Sequence, residues 1–538
     1  MRRLALLAAA ALVPGLLALQ PIEVGAVAPH SCPADLSNWR TVLGADWLDC
    51  HQVADLTTTG NPWTDPSSLY GMGFPPPGSG TLNSHYTKPT SPPVSGLQLD
   101  GWFPDGCNAF LQEPALTNKN GQPFLPGCTP AAGAGTCASA CHHDAQFVIR
   151  VPDNWNGRLL SAGTPGIRDA FSSDFILSDY ALERGWAYVS QDKGNMAANF
   201  YRDGSDEATS CGAGTPWCPA AAIQEWTTRM RQATRQARAL LNNVAPSYGL
   251  KRVTRSYAAG ISNGGYQVRM AIEKDTPRDR LYDGGVDWEG TLFLGSVPTG
   301  VTLEQPTTGY NLFTYLPTAL TYYAAWAAGD PNALPHFTAV GFNPASQPLW
   351  DYHWSVYWGL TQKIYRLEMD PEYTNYTCSG TGPPCVSPAA EQVPSTDPDA
   401  GYDYATRPSV VATRMQSVAE TGGIQHPLIT LHGDQDALLP EKTDSDLYAQ
   451  MVKLAGKVAQ YRYYVVQGGN HVDGQFDDHY GVDSYGDDVL RPMLPCVWSA
   501  LAALVPWVES GNAPPVSHTI PRPAGASASD LANACPLA

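Results

Sequence analysis

The sequence predicts an α/β fold: a mainly parallel sheet with helices on both faces, interrupted by one large insertion. Three observations predict it. Short apolar strands alternate with helical periodicity over residues 146–289 and again after residue 410, the pattern of strand–helix–strand units. An aromatic-rich stretch over residues 290–410 breaks that rhythm. The chain has 538 residues, more than the roughly 250–300 at which one core stops growing. Apolar residues make up 43% and charged residues 15%, so the chain can pack a core and global disorder is excluded. The net charge of −18 argues against a nucleic-acid backbone or an anionic membrane surface as partner.

Residues 1–28 read as a secretory signal. Arg2 and Arg3 precede an apolar run from Leu4 to Leu19, and Ala26-Val27-Ala28 forms a small-residue cleavage site. No later stretch reaches the ~18 apolar residues of a membrane span. The expected location is therefore secreted, extracellular or periplasmic. Residues 29–145 are rich in Pro, Gly, Ser and Cys with little periodicity, which predicts an irregular segment pinned by disulfides. The first part of the sheet domain spans 146–289. Its strands are expected at Phe147–Ile149, Arg158–Ser161, Trp186–Ser190, Val253–Ala259 and from Asp283. Helices are expected over Asp179–Glu183, Gln224–Asn243 and Gly264–Lys274. In the second of these, Trp226, Met230, Ala233, Ala237, Leu240 and Leu241 recur every three or four residues and define one apolar face. Arg229, Arg231, Arg235 and Arg238 read as its solvated face. Residues 290–410 form the lid insertion. The second part of the domain, with a C-terminal tail, spans 411–538. It carries strands at Leu428–Leu431 and Tyr461–Val466 and helices over Asp444–Leu454 and Leu494–Trp507.

Twelve cysteines in an exported chain imply disulfides. They fall into neighbouring pairs: Cys32/Cys50, Cys107/Cys128, Cys137/Cys141, Cys211/Cys218, Cys378/Cys385 and Cys496/Cys535. Connectivity does not follow from sequence, but short loops favour these local bridges. No Cys-x-x-Cys pair supports zinc. Asp397, Asp399 and Asp403 have oxygen ligands at short spacing, yet they do not match the calcium loop and read as a solvated acidic turn. Asn375-Tyr376-Thr377 is a glycosylation sequon. No cofactor or metal is implied.

The sharpest chemical signal is Gly260-Ile261-Ser262-Asn263-Gly264, a G-x-S-x-G turn after a strand and before a helix. Small residues flank a serine that the turn lifts above the sheet. A serine hydroxyl needs a base, and the base needs an orienting acid. His471 leaves the strand ending at Val466, and Asp436 follows the strand ending at Leu431, so the order Ser262, Asp436, His471 is available. Asp434 reads as solvated, Asp287 as the reserve acid and His432 as a structural residue of the acid turn. His142, His143, His353 and His479 are weaker candidates for the base. Oxyanion donors are expected from the N–H of Asn263 and from Gly163 or Thr164 in the loop after an early strand.

With those residues placed, the chain resembles the secreted α/β-hydrolases around tannase and feruloyl esterase, and equally the extracellular 3-hydroxybutyrate-oligomer hydrolases. The likeness is carried by Trp155-Asn156-Gly157, Gly163-Thr164-Pro165-Gly166, Gly185-Trp186-Ala187-Tyr188, Asp192-Lys193-Gly194-Asn195 and Ser262-Asn263-Gly264-Gly265. Asp283-Gly284-Gly285-Val286, His432-Gly433-x-x-Asp436 and Asn470-His471-Val472-Asp473 are closer to the oligomer hydrolases. The resemblance implies an α/β-hydrolase fold and a serine carboxylic esterase acting through an acyl-enzyme on hydroxyalkanoate oligomers or similar polyester fragments, with phenolic esters as the alternative substrate. A serine peptidase and a non-catalytic binding protein are the readings from other classes. The partner expected is a small-molecule or oligomeric ester. Tannase-type enzymes place bridged cysteines where Ile261 and Val472 stand here, which predicts an apolar contact in place of that bridge.

Overall fold

The computed structural model describes residues 30–64, 92–104, 145–166, 169–194, 220–301, 312–370, 372–373, 398–471, 473, 476 and 489–538. The signal segment, the four middle cysteine pairs, His142, His143, Asn195, the Asn375 sequon, Asp397, Val472 and His479 lie outside the described residues.

Among the described residues ten strands form: β1 Trp47–Val53, β2 Gly96–Trp102, β3 Gln146–Pro152, β4 Arg158–Gly163, β5 Ala187–Gln191, β6 Arg255–Ile261, β7 Gly284–Trp288, β8 Leu428–Gly433, β9 Tyr461–Val466 and β10 His518–Ile520. They form one sheet in the order β1-β2-β3-β5-β4-β6-β7-β8-β9-β10. From β5 to β10 every pairing is parallel. The pairings β1–β2, β2–β3 and β3–β5 are antiparallel.

Alternate residues of the central strands enter different cores, as a two-faced sheet requires. Tyr257, Ala259 and Ile261 of β6 face the helix Leu494–Ser510, whereas Ala258 faces the side built by helices Asn263–Glu273 and Ser445–Leu454. Helix Ala221–Asn243 covers the same side further along, with Ala233, Ala237, Leu240 and Leu241 packed on β3, β4 and β5. The crossover that sets β5 between β3 and β4, together with the strand–serine–helix turn after β6, makes this an α/β-hydrolase fold.

Three expectations are corrected, two of them in the sheet domain and its N-terminal extension. The segment read as irregular supplies helix Ser37–Leu43 and the strands β1 and β2, which extend the sheet. The disulfide Cys32–Cys50 pins it to β1, and Cys496–Cys535 pins the C-terminal tail to helix Leu494–Ser510; both are pairs expected from spacing. The arginine face of helix Ala221–Asn243 is not solvated throughout. Arg229 is buried and reaches Glu225 at 2.5 Å, and Arg231 is buried and reaches Asp275 at 2.5 Å and Asp279 at 2.8 Å. Acidic partners on the 275–279 turn neutralise that face against the protein.

The insertion between β7 and β8 carries helices Leu312–Ala327, Leu334–Ala339, Gly359–Met369 and Ser409–Ser417. Its aromatic rings pack largely on one another, Phe337 on Trp350 and Tyr323 on Trp354, each at 4.1 Å between centroids. It has no separate core, because Phe293 and Tyr365 pack edge-on against Trp226 and Tyr266 of the sheet's own helices. Asp399 is buried against Arg366 at 3.0 Å, and Asp403 caps the next turn through the Ala405 N–H. The expected solvated turn is therefore an ion pair and a cap.

Candidate active site

Ser262 stands between β6 and helix Asn263–Glu273 with φ +58° and ψ −123°. A non-glycine residue there is strained, and such strain persists only where the surroundings over-determine it. They do so here by close backbone packing. A Cβ on Gly264 would lie 2.3 Å from the Gly163 carbonyl oxygen, and one on Gly260 would lie 2.5 Å from the Gly264 carbonyl. Only glycine fits at this three-way contact, so β4, β6 and the helix start close tightly beneath the serine. Ser262 N–H donates to Trp288 O at 2.9 Å, which ties the turn to the end of β7.

The expected acid and base meet. His471 Nδ1 lies 2.8 Å from Asp436 Oδ2, both side chains buried. Asp436 Oδ1 accepts the N–H groups of Leu438 and Leu439, each at 2.8 Å. Burial alone would raise the Asp436 pKa. The charge and hydrogen bonds of His471 and His432 overcome it and hold the carboxyl below the usual range. His432 has the expected structural role: Nδ1 meets Ser445 Oγ at 2.7 Å and Nε2 meets Leu439 O at 2.8 Å.

Asp434 is only partly exposed and accepts the Gly468 N–H at 2.8 Å, so it braces the loop that carries His471 rather than facing its ring. The reserve acid Asp287 is buried in an ion pair with Arg269 Nε at 2.6 Å and accepts from Thr430 Oγ1 at 2.8 Å.

One residue was missed by sequence reasoning. Glu289 follows β7 with φ +50°, fully buried. Its Oε1 accepts the Gly433 N–H at 2.8 Å, and its Oε2 lies 3.5 Å from His471 Nδ1. Burial, then the charge of Asp436, raises its pKa well above the usual carboxylate range. The available signal was two acids, Asp287 and Glu289, bracketing the end of a strand beside the nucleophile strand.

Glu289, His432 and Asp436 come close enough to resemble a metal-ligand group. Two of the three are already engaged within the protein. Both His432 nitrogens and both Asp436 oxygens are hydrogen-bonded within the protein.

On the oxyanion side, Asn263 opens its helix, so its N–H has no helical acceptor. Thr164 N–H has only a long 3.5 Å contact to Gln267 Oε1. Gly163 ends β4 in the ladder with Gly260. Gln267 Nε2 donates to Thr164 O at 2.8 Å, and its Oε1 accepts from Gln191 Nε2 at 2.8 Å, fixing the loop against the serine helix. The lid closes over both halves. Tyr365 OH donates to Asn263 Oδ1 at 2.5 Å, Trp358 Nε1 to Ala437 O at 2.7 Å and Asn343 Nδ2 to Asp434 O at 2.6 Å. Trp358 sits in a π-helical turn, Trp354–Trp358, which re-aims it at the acid loop. The lid also buries His353, set aside on sequence grounds. Burial drives its pKa down to about 3 despite the opposing charge of Asp436.

No protein-family model matches the sequence, and no curated protein matches it. Among solved structures, the chain is similar to feruloyl esterase B from Aspergillus oryzae, with 15% identity over 87% of this chain and 88% of that one and a TM-score of 0.43. It is also similar to a mutant of the rice cell wall degrading esterase LipA from Xanthomonas oryzae, with 12% identity over 86% and 98% and a TM-score of 0.41. A further esterase from Aspergillus oryzae gives 15% identity, 87% of each chain and a TM-score of 0.37. With TM-scores this low, the fold rests on the chain's own topology.

Proposed function

We propose that the protein is a secreted serine hydrolase of carboxylic esters, with Ser262 as nucleophile, His471 as base and Asp436 as the acid that orients it. The observation that carries this reading is the 2.8 Å His471 Nδ1–Asp436 Oδ2 bond, set across the sheet's end from a serine held at φ +58°. With Nδ1–H committed to Asp436, Nε2 is left as the proton acceptor. Ser262 Oγ attacks the ester carbonyl while His471 takes its proton. The N–H groups of Asn263 and Thr164 receive the oxyanion. His471 then returns the proton to the leaving alcohol, and water hydrolyses the acyl-enzyme by the same route.

For substrate we propose 3-hydroxybutyrate oligomers or similar polyester fragments, because the Ser-Asn-Gly-Gly, His-Gly-x-x-Asp and Asn-His-Val-Asp motifs at the site are closest to that group. Ser262→Ala is expected to leave folding intact and lower ester turnover by roughly four powers of ten or more. A purified variant that kept more than about a tenth of the wild-type rate would remove Ser262 from the mechanism. Hydroxybutyrate dimers assayed beside gallate and ferulate esters decide the acyl class, and peptide anilides test the peptidase alternative.

A further inference from the structure

Glu289 has no part in the three-residue mechanism, yet its placement is costly. A non-glycine residue at positive φ, a fully buried carboxyl and a position beside a second acid are each unfavourable, and all three coincide here. Structural duty explains only one oxygen, the Oε1 that accepts the Gly433 N–H. The other, Oε2, meets no donor at good hydrogen-bond geometry, the Trp288 indole giving the carboxyl only a weak interaction, and lies 3.5 Å from the same imidazole nitrogen that Asp436 holds at 2.8 Å. The two acids come from different strand ends, Glu289 after β7 and Asp436 after β8, and converge on one proton.

We propose that Glu289 is a positioning residue for His471, a second acid set against Nδ1 and able to take over its orientation when Asp436 is lost. The inference rests on the triad reading of this site. In the wild type one negative charge suffices, and Asp436 carries it because two backbone N–H groups and two histidines favour its ionised form. Glu289 faces Asp436 and His432 from β8 and its loop and His471 and Asp473 from the loop after β9, while the lid's His353 faces Asp436 and His471. Two carboxyls this close do not both ionise readily, so Glu289 stays protonated. Asp436→Asn removes the neighbouring charge. Glu289 then loses its proton to solvent at a lower pH than in the wild type, and its Oε2 accepts the Nδ1–H that Asp436 accepted before. No bond to substrate changes, and His471 remains the proton carrier.

The test is the rate of Ser262 labelling by a fluorophosphonate between pH 6 and 10, a readout that does not require the correct ester. Asp436→Asn is expected to label slowly at pH 7 and to recover with pH along a one-proton limb. Adding Glu289→Gln keeps the side-chain shape and the Gly433 contact but should abolish the limb, leaving the double variant about tenfold or more slower at pH 9. Identical profiles for the single and double Asp436 variants overturn the role of Glu289 while leaving the triad standing. Failure of the wild type to label overturns the triad reading and the proposal with it. If the double variant does not fold, the low-field Nδ1–H proton resonance of Asp436→Asn alone decides the point. It should move with one titration over the same pH range, and a flat resonance overturns the proposal.

Discussion

Two clusters of buried carboxyls sit in one sheet, one around β2 and β3, the other around β7, β8 and β9, and they are neutralised differently. At the site, Asp436 faces two histidines and two backbone N–H groups, which hold its pKa below the usual range despite burial. In the other cluster, Asp100, Asp174 and Asp179 surround a single arginine. Arg150 reaches Asp174 Oδ1 at 2.6 Å and Oδ2 at 2.7 Å, so its guanidinium is spent on one acid. Asp179 is left with Thr58, whose N–H donates at 2.9 Å and whose hydroxyl donates to the other oxygen, and Asp100 with Gln98, whose amide donates at 3.0 and 3.1 Å, and with the more distant His51 at 3.6 Å. Burial pushes Asp100 and Asp179 up to about 7. The number of directed donors, rather than burial, decides which buried acid carries charge. A charged acid can orient a base, and an uncharged one can serve as a clamp. The second cluster is such a clamp, because Thr58 and Thr64 bring the N-terminal segment onto Asp179 and Asp174.

The comparison breaks most visibly in turnover. Asp436→Asn is expected to cost about 10³–10⁴-fold in ester hydrolysis at pH 7, since the imidazole loses its orienting acceptor. Asp434→Asn should cost about tenfold or less, because Asp434 meets the backbone of Gly468 and not the ring. Steady-state rates on one chromogenic ester, with the melting temperature of each variant, check the ranking. The reverse order would move the orienting acid to Asp434.

The clamp should show the opposite signature. Arg150→Met leaves Asp174 buried without its cation, and breaking a buried pair in this way costs about 3–5 kcal/mol of stability. The protein that remains folded should turn over ester within about threefold of the wild type, because Arg150 contacts no residue of the site. Urea midpoints and active-site titration separate the two quantities. A large loss of turnover at full stability would show that the clusters are coupled.

The same contrast explains what could be read from the sequence. The parallel strands β4 to β9 were legible because they are short apolar runs that end in chemistry-bearing turns, and the separation of Asp436 from Asp434 followed from the position of the turn. β1 and β2 were not legible. In β2, Leu97 and Leu99 alternate with Gln98 and Asp100, and all four are buried. A polar residue that faces a buried arginine looks the same in sequence as one that faces water. Glu289 was hidden for a related reason. It lies two residues beyond the acid considered, Asp287, and its reach to His471 depends on a backbone turn at φ +50° that no residue type announces.

The smallest expected effect is a pH dependence, and its sign follows from the raised pKa values of the clamp. An aspartate in the unfolded chain loses its proton near ~3.9, whereas Asp100 and Asp179 keep theirs to about 7 in the folded state. Between those values the folded protein binds more protons than the unfolded one, so stability falls as pH rises, by up to about 1.4 kcal/mol per pH unit for each group. The loss is complete above the folded-state pKa. Asp436, with its lowered pKa, acts in the opposite direction and only below ~4, outside this window. Asp444, pushed up to about 6 by burial, adds to the same slope, so the wild-type curve alone does not isolate the clamp. The difference between two proteins does. Melting temperatures from pH 5 to 8 should fall by a few degrees in the wild type and by less in Asp100→Asn/Asp179→Asn, whose amides hold no titrating proton. Parallel curves would mean that both acids ionise normally in the folded state. The contrast between a donor-rich site and a donor-poor clamp would then fail at its second term.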